Sequence, residues 1–190
     1  MVYPNPTSTR TSSRRPRRYD DAVKIRRAHL VYEGASRFDA RTGTDRTIVF
    51  GDVAATNELS PVETLVAALA ACSAMDVIGI LLKKRQVISR YVIEVSAEQR
   101  ASYPQVLTRV DVVHVVDGTV LLEGALRRAI ELSATKYCPV NAMLSSGATE
   151  VHHGFRMRCA GLVPKEAEGE VIVTGPFRPP NVVPGRAATP

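Results

Sequence analysis

Apolar and polar positions alternate over residues 23–32, where Val23 and Ile25 are set against Lys24 and Arg26, the spacing of a strand with one buried face. A second short run, Thr47, Ile48, Val49 and Phe50, is rich in strand formers and precedes a polar loop at 52–59. Gly34 and the cluster Thr42, Gly43, Thr44 and Asp45 mark turns between the two runs.

From Ser60 the period changes. Ser60 is placed as an N-cap, Pro61 as the first helical residue, and Glu63 three positions after the cap, where it can close a capping box. The apolar run continues to Leu82 and ends in Lys83, Lys84 and Arg85, cations suited to the negative end of a helix dipole. It is apolar nearly all round, so this helix is expected to be central and buried.

Alternation returns at 91–97 and 107–116, as in Val110, Asp111 and Val112, with a loop containing Pro104 between the two; this predicts a hairpin. Helical spacing over 121–133 (Leu122, Ala125, Leu126, Ala129, Ile130) predicts a second helix, and a third starts at Pro139 and stops before Gly147. Residues 149–158 read as a last strand. From 164 the chain becomes polar and then Pro-rich (Pro176, Pro179, Pro180, Pro184, Pro190), which reads as a flexible tail over 164–190. No repeat is visible. The order of elements predicts one α+β domain over about residues 22–163.

The length of 190 residues and an apolar share of 45% fit one domain with a substantial core. The net charge of +6 suggests nucleic acid until it is located. Five of the 25 bases, Arg10, Arg14, Arg15, Arg17 and Arg18, lie within the first 19 residues, leaving 20 bases facing 19 acids in the remainder. The folded part is therefore near neutral and has no basic face. Residues 1–21 lack both the apolar run of a secretory signal and an amphipathic period, and read as a disordered Arg-rich tail. The run at 64–82 is long enough for a membrane span, but it is Ala-rich and carries Asp76, so a helix of a soluble protein is expected.

Three cysteines, an odd number, do not make a disulfide framework and point to a reducing compartment. Cys72 lies mid-helix, between Ala71 and Ser73, whereas Cys138 stands between Tyr137 and Pro139, where a helix begins. The free N–H groups of a helix start favour an anion, so Cys138 has a means of lowering its thiol pKa, with Lys136 nearby in sequence. Cys72 has no such local help, because burial raises a thiol's pKa; a cation from elsewhere must reach it if it is the reactive one. Each cysteine can equally be a small buried hydrophobe, and Cys159 has no evident role.

No C-x-x-C is present, and His152 and His153, adjacent in a predicted strand, point to opposite faces, so no zinc site is expected. There is no Walker A loop, no G-x-G-x-x-G after a strand and no G-x-S-x-G.

Two segments resemble the OsmC/Ohr family: Ser60, Pro61, Val62, Glu63, Thr64 and Leu65, running through Ala67, Ala68, Leu69, Ala70, Ala71 and Cys72 to Met75, Asp76 and Val77, and the later Ser133, Ala134, Thr135, Lys136, Tyr137, Cys138, Pro139 and Val140. The likeness covers about residues 24–158. It implies an OsmC-like fold, an antiparallel sheet wrapped around long central helices in an intertwined homodimer, with two equivalent sites at the interface. The many alanines of the Cys72 helix suit close helix approach.

The resemblance further implies a cytoplasmic, thiol-dependent peroxidase of oxidative-stress defence, without cofactor or metal, that reduces organic hydroperoxides. Cys72 would form a sulfenate, Cys138 would resolve it as a disulfide, and an external thiol or dithiol would restore both. The family pattern adds an Arg that stabilises the thiolate, for which Arg37 is the candidate, and a Glu that orients it. Counting back from Cys72, the position of that Glu holds Val62, and Glu63 follows one residue and about 100° of helix rotation later. Glu63 is the candidate, although its capping role can be its whole role. The departure resembles the OsmC-like branch and leaves an alternative, a ligand-binding or thiol-sensing protein without efficient turnover. Binding of nucleic acid through the Arg-rich tail is a third reading. The partners expected are a second copy, a hydroperoxide and a reductant, with neither nucleic acid nor membrane.

Overall fold

The computed structural model describes residues 24–52 and 58–176; the tail read at 1–21 lies outside these residues. Three strands come first: β1 (Ala28–Gly34), β2 (Arg37–Thr42) and β3 (Thr47–Phe50), in one antiparallel sheet. β3 matches its predicted span and β1 starts later than 23. β2, which begins at Arg37, is an addition to the sequence reading. The turn that makes β2 possible uses left-handed backbone at Ala35 and Ser36 (φ 47° and 62°), the twist that lets a two-residue hairpin close, and neither residue is the glycine that would signal it.

This small sheet buries little. Ala40 is buried, but Leu30, Val31, Tyr32 and Phe38 are exposed, and the sheet makes no extensive contact with the helices or the second sheet. A few strands without a covered apolar face are marginal on their own.

Helix α1 spans Pro61–Lys83, with Ser60 at the N-cap and Pro61 in the first turn, as read from sequence. The capping box is not formed: Ser60 makes no side-chain cap bond, and Thr64 instead donates both its N–H and its Oγ1–H to Ser60 O, each at 2.9 Å. Nor is α1 buried all round. Leu69, Ser73, Val77 and Leu81, one residue per turn, form its buried stripe, while Ala68, Ala71, Met75 and Leu82 on the opposite side are exposed.

A four-stranded sheet carries the core, in the order β4 (Val87–Gln99), β5 (Leu107–Val120), β6 (Glu150–Cys159), β7 (Lys165–Thr174). The expected hairpin is β4–β5, but β5 and β6 run parallel, so this sheet is mixed rather than antiparallel. Parallel neighbours need a long crossover, and here it contains α2 (Glu123–Leu132) and α3 (Pro139–Ser145). The reading of 164 onward as a tail is corrected for β7, which pairs antiparallel with β6 and buries Val171, Ile172, Val173 and Thr174. Only after Pro176 does that segment leave the described residues.

Two apolar clusters fill the space between the sheet and the helices. Val77, Leu81, Val116, Leu126, Ile130 and Phe155 belong to one, and Leu69, Leu107, Val110, Val112, Cys138 and Val151 to the other. Between them runs a polar layer. On α1 Ser73 lies between Leu69 and Val77, on β5 His114 between Val112 and Val116, and on β6 His153 between Val151 and Phe155; all three polar residues are fully buried.

Candidate functional site

Cys72, in the middle of α1, is half-buried and packs against the cluster that holds Leu69 and Cys138; Asp76 follows one turn later on the same side. Cys138 arrives from the other end of the crossover. Beyond α2 the chain makes one π-helical turn, Ser133–Tyr137, closed by Cys138 N–H donating to Ser133 O at 2.9 Å; such turns widen the helix locally and recur at functional sites. Cys138 is then the N-cap of α3, with Pro139 in the first turn.

The two Sγ atoms and a carboxylate oxygen of Asp76 all lie within 4.8 Å of one another, and the thiols are free. Three donors with no imidazole among them do not fit the closed four-ligand set of a structural zinc site. Two thiols this close fit reversible disulfide chemistry.

The electrostatics differ from the sequence expectation for Cys138. Asn141 N–H does donate to its sulfur at 3.4 Å, and this favours the thiolate. Burial and the neighbouring Cys72 outweigh it, and the Cys138 thiol is pushed up to about 12. It is therefore held as the neutral thiol at neutral pH. Burial likewise raises the carboxyl of Asp76 above its ordinary range, with the Ser133 hydrogen bond opposing.

Behind the thiols, the polar layer makes a chain of hydrogen bonds. Tyr91 Oη is 2.7 Å from His114 Nδ1, His114 Nε2 is 3.5 Å from Ser73 Oγ, Ser73 Oγ is 3.3 Å from Ser133 Oγ, and Ser133 Oγ donates to Asp76 Oδ2 at 3.1 Å. Each hydroxyl has one proton to give. Since Ser133 donates to Asp76, Ser73 must donate to Ser133 and His114 must donate from Nε2 to Ser73, which leaves Nδ1 to accept from Tyr91. All four donors point toward the Asp76 carboxylate.

A branch joins Cys138 to β6. Asn141, fully buried, donates through Nδ2 to Ala134 O (2.7 Å) and Thr174 Oγ1 (3.2 Å), and its Oδ1 is 3.0 Å from His153 Nε2. Burial pushes His114 down to about 3 and His153 down to about 4, so both are neutral imidazoles at physiological pH. As the sequence indicates, His152 points the other way, to Glu150 and Glu170 on the outer face.

Arg37 lies in β2, where its guanidinium donates to Glu58 Oε1 (2.6 Å) and Asp39 Oδ1 (3.2 Å). No hydrogen bond or ion pair joins it to Cys72, or to Glu63, among the described residues. Glu63 lies near the start of α1, lining a cleft of about 280 Å³ with Val62, Val66, Val95, Ala97, Gln99 and Leu107. The structure thus brings Cys72 and Cys138 together and leaves Arg37 and Glu63 apart from each other. Sequence reasoning missed Asp76, Ser133, His114, Asn141 and Glu58. The available signal was a polar residue at an otherwise apolar period: His114 within Val110, Val112 and Val116, and Ser73 midway between Leu69 and Val77.

A family model for OsmC-like protein matches residues 54–153, which include both cysteines. Protein YhfA of Escherichia coli (strain K12) is 36% identical over 101 residues, 53% of this chain and 75% of YhfA. Among solved structures, the OsmC like protein from Mycoplasma pneumoniae has a TM-score of 0.63 at 14% identity, covering 70% of this chain and 97% of that one. The organic hydroperoxide resistance protein OhrB of Bacillus subtilis has a TM-score of 0.51 at 14% identity, covering 70% and 99%. These two likenesses concern the fold. Together with the thiol pair in its two sequence settings, the family match and the YhfA alignment establish that the chain belongs to the OsmC-like protein family.

Proposed function

We propose that the protein is a thiol-dependent peroxidase that reduces organic hydroperoxides. One observation carries this reading: two free thiols from distant parts of the chain, Cys72 and Cys138, within 4.8 Å of each other. The thiolate of Cys72, the more exposed of the two, attacks the peroxide oxygen and expels ROH, leaving a sulfenic acid. Cys138 condenses with it to a disulfide and releases water, and an external thiol or dithiol reduces the disulfide. A neighbour of the same fold bears the name organic hydroperoxide resistance protein, which agrees with this chemistry.

The working unit in this reading is a homodimer in a reducing cytoplasm. The exposed apolar side of α1 and the uncovered β1–β3 sheet are the surfaces that a second copy would cover, and Arg37, held by Glu58 and Asp39, would then reach a Cys72 across the interface. Intact-mass and free-thiol analysis after one equivalent of an organic hydroperoxide tests the proposal. The wild type should lose two hydrogens as a disulfide, and Cys72→Ser and Cys138→Ser should not. Survival of all thiols in the wild type would remove the peroxidase reading. It would favour a ligand-binding or thiol-sensing role, for which the apolar cleft beside Val62 and Val66 is the candidate pocket.

A further inference from the structure

We propose that Asp76 is the proton acceptor that turns Cys138 into a nucleophile, with Ser133 holding its carboxylate in place. The inference rests on the thiol-pair reading above and adds a residue that the motifs around the two cysteines do not assign.

The argument starts from what disulfide closure requires. In Cys72–SOH plus Cys138–SH, the S–H bond of Cys138 and the S–O bond of Cys72 break, the S–S bond forms, and water leaves. Cys138 sulfur is oxidised and the sulfenic sulfur is reduced, so no further oxidant or reductant is needed. The attacking species must be the thiolate, yet burial and the neighbouring Cys72 keep Cys138 protonated. The helix-start N–H groups of Asn141 and Val140, which favour the thiolate, do not reverse that. A base at the site must take the proton and then return it to the departing hydroxide as water.

Among the described residues, Asp76 is the carboxylate grouped with both sulfurs, all three atoms lying within 4.8 Å. The groups around it are consistent with that role. On its own helix stand Cys72 one turn before it and Lys83 and Lys84 beyond it; Ser133 and Tyr137 face it from the π turn, and Cys138 from the start of α3. Lys83, Lys84 and Tyr137 line the cleft that opens beside Asp76, but the only hydrogen bond to its carboxylate among the described residues comes from Ser133. The chain from Tyr91 through His114, Ser73 and Ser133 presents only donors to Oδ2, and cooperative donation fixes that oxygen. Oδ1 accepts no hydrogen bond among the described residues, so the carboxylate keeps lone pairs free to take the proton of Cys138. A carboxyl raised above its ordinary range is also a stronger base than an exposed one, closer to the working pH.

The test separates this proposal from the peroxidase reading by avoiding peroxide. In a Cys159→Ser background, which keeps only the paired thiols, dithiobis-nitrobenzoate reacts first at Cys72 with release of one coloured thiolate. Cys138 then displaces the second and closes the disulfide; Cys138→Ser, which releases only one, assigns the phases. Asp76→Asn should leave the first phase within about threefold and slow the second about 100-fold, the scale of general-base assistance. The second-phase rate in that variant should then climb with hydroxide concentration without the plateau of the wild type. Ser133→Ala, which keeps the carboxylate but removes a hydrogen bond that favours its charged form, should move the acidic limb of the second phase to higher pH. It decides the matter should Asp76→Asn fail to fold. Wild-type rates and pH profile in the second phase of either folded variant overturn the role of Asp76. Failure of the wild type to react with hydroperoxide, with both phases intact here, would overturn the peroxidase reading alone.

Discussion

Arg37 Nη1 lies 2.6 Å from Glu58 Oε1, while the other carboxylate oxygen of Glu58 is buried with no hydrogen-bond partner among the described residues. A buried carboxylate with one oxygen satisfied is set to hold a cation in a fixed direction. Glu58, with Asp39 beside it and rather than Glu63, therefore orients Arg37 within the chain. If Arg37 serves the Cys72 thiolate, Glu58→Gln should lower kcat/KM for an organic hydroperoxide about tenfold, as loss of a supporting hydrogen-bond partner typically does. Glu63→Gln should leave it within about twofold. The reverse ranking in steady-state assays would return the role to Glu63.

Local signals carried much of the fold. Thr47–Phe50 needed only its β-branched run, and α1 only Ser60, Pro61 and the apolar stretch that follows. The cysteines were legible through their immediate neighbours. What was not legible depends on residues far apart in sequence: Arg37 and Glu58 are 21 positions apart, and Ser73 and Ser133 are 60 apart. β7 was hidden for a different reason. Its first half, Lys165, Glu166, Glu168 and Glu170, is charged on an edge strand, and the prolines beyond it masked the buried Val171, Ile172 and Val173. The raised pKa of the Cys138 thiol was not legible because the N–H groups of the helix start are read from sequence, while the burial that outweighs them exists only in the packed fold.

Asn141 is the joint of the buried branch, since its side chain satisfies Ala134 O and Thr174 Oγ1 and meets His153 Nε2. His153 Nδ1 already has no hydrogen-bond partner among the described residues. Asn141→Ala would leave the whole imidazole unpaired in the core and should cost about 2–3 kcal/mol of folding stability. Urea unfolding followed by circular dichroism measures it; a loss below about 0.5 kcal/mol would mean that water replaces the amide.

The two buried histidines set an acid limit on stability. Their folded values, about 3 for His114 and about 4 for His153, lie below the 6.5 of an ordinary imidazole. Above that ordinary value both states are neutral and nothing is lost. Below it the unfolded chain takes up protons that the folded chain refuses, so stability falls as pH drops from about 6.5 toward 4. By about pH 5 the loss should be about 2 kcal/mol per histidine. Asp111 and Glu123, whose carboxyls are held low by Arg109 and by Lys165 and Arg127, add their losses only at more acid pH. Asp76, raised by burial, runs in the opposite sense as one half-buried group. The urea midpoint should therefore fall steadily between pH 6.5 and 5, and His153→Gln should flatten about half of that slope. A midpoint that stays flat over this range would contradict the burial of both rings.

The exposed side of α1 gives the sharpest test of assembly. Ala68, Ala71, Met75 and Leu82 are exposed opposite the buried stripe of Leu69, Ser73, Val77 and Leu81. A helix with two apolar sides and one covering layer leaves an apolar surface facing water, which marks an interaction face. The alanines in it allow another helix to approach closely. Glutamate is nearly as good a helix former as alanine, so Ala68→Glu should leave α1 intact while placing a charge where a second copy would pack, at a desolvation cost that an interface of this kind does not offset. Sedimentation equilibrium should give the mass of two chains for the wild type and of one for the variant. Under the peroxidase proposal, hydroperoxide turnover should fall with the dimer, because Arg37 would no longer reach a Cys72 across the interface. A wild type that sediments as a single chain, or an Ala68→Glu dimer as tight as wild type, would move the subunit interface away from α1.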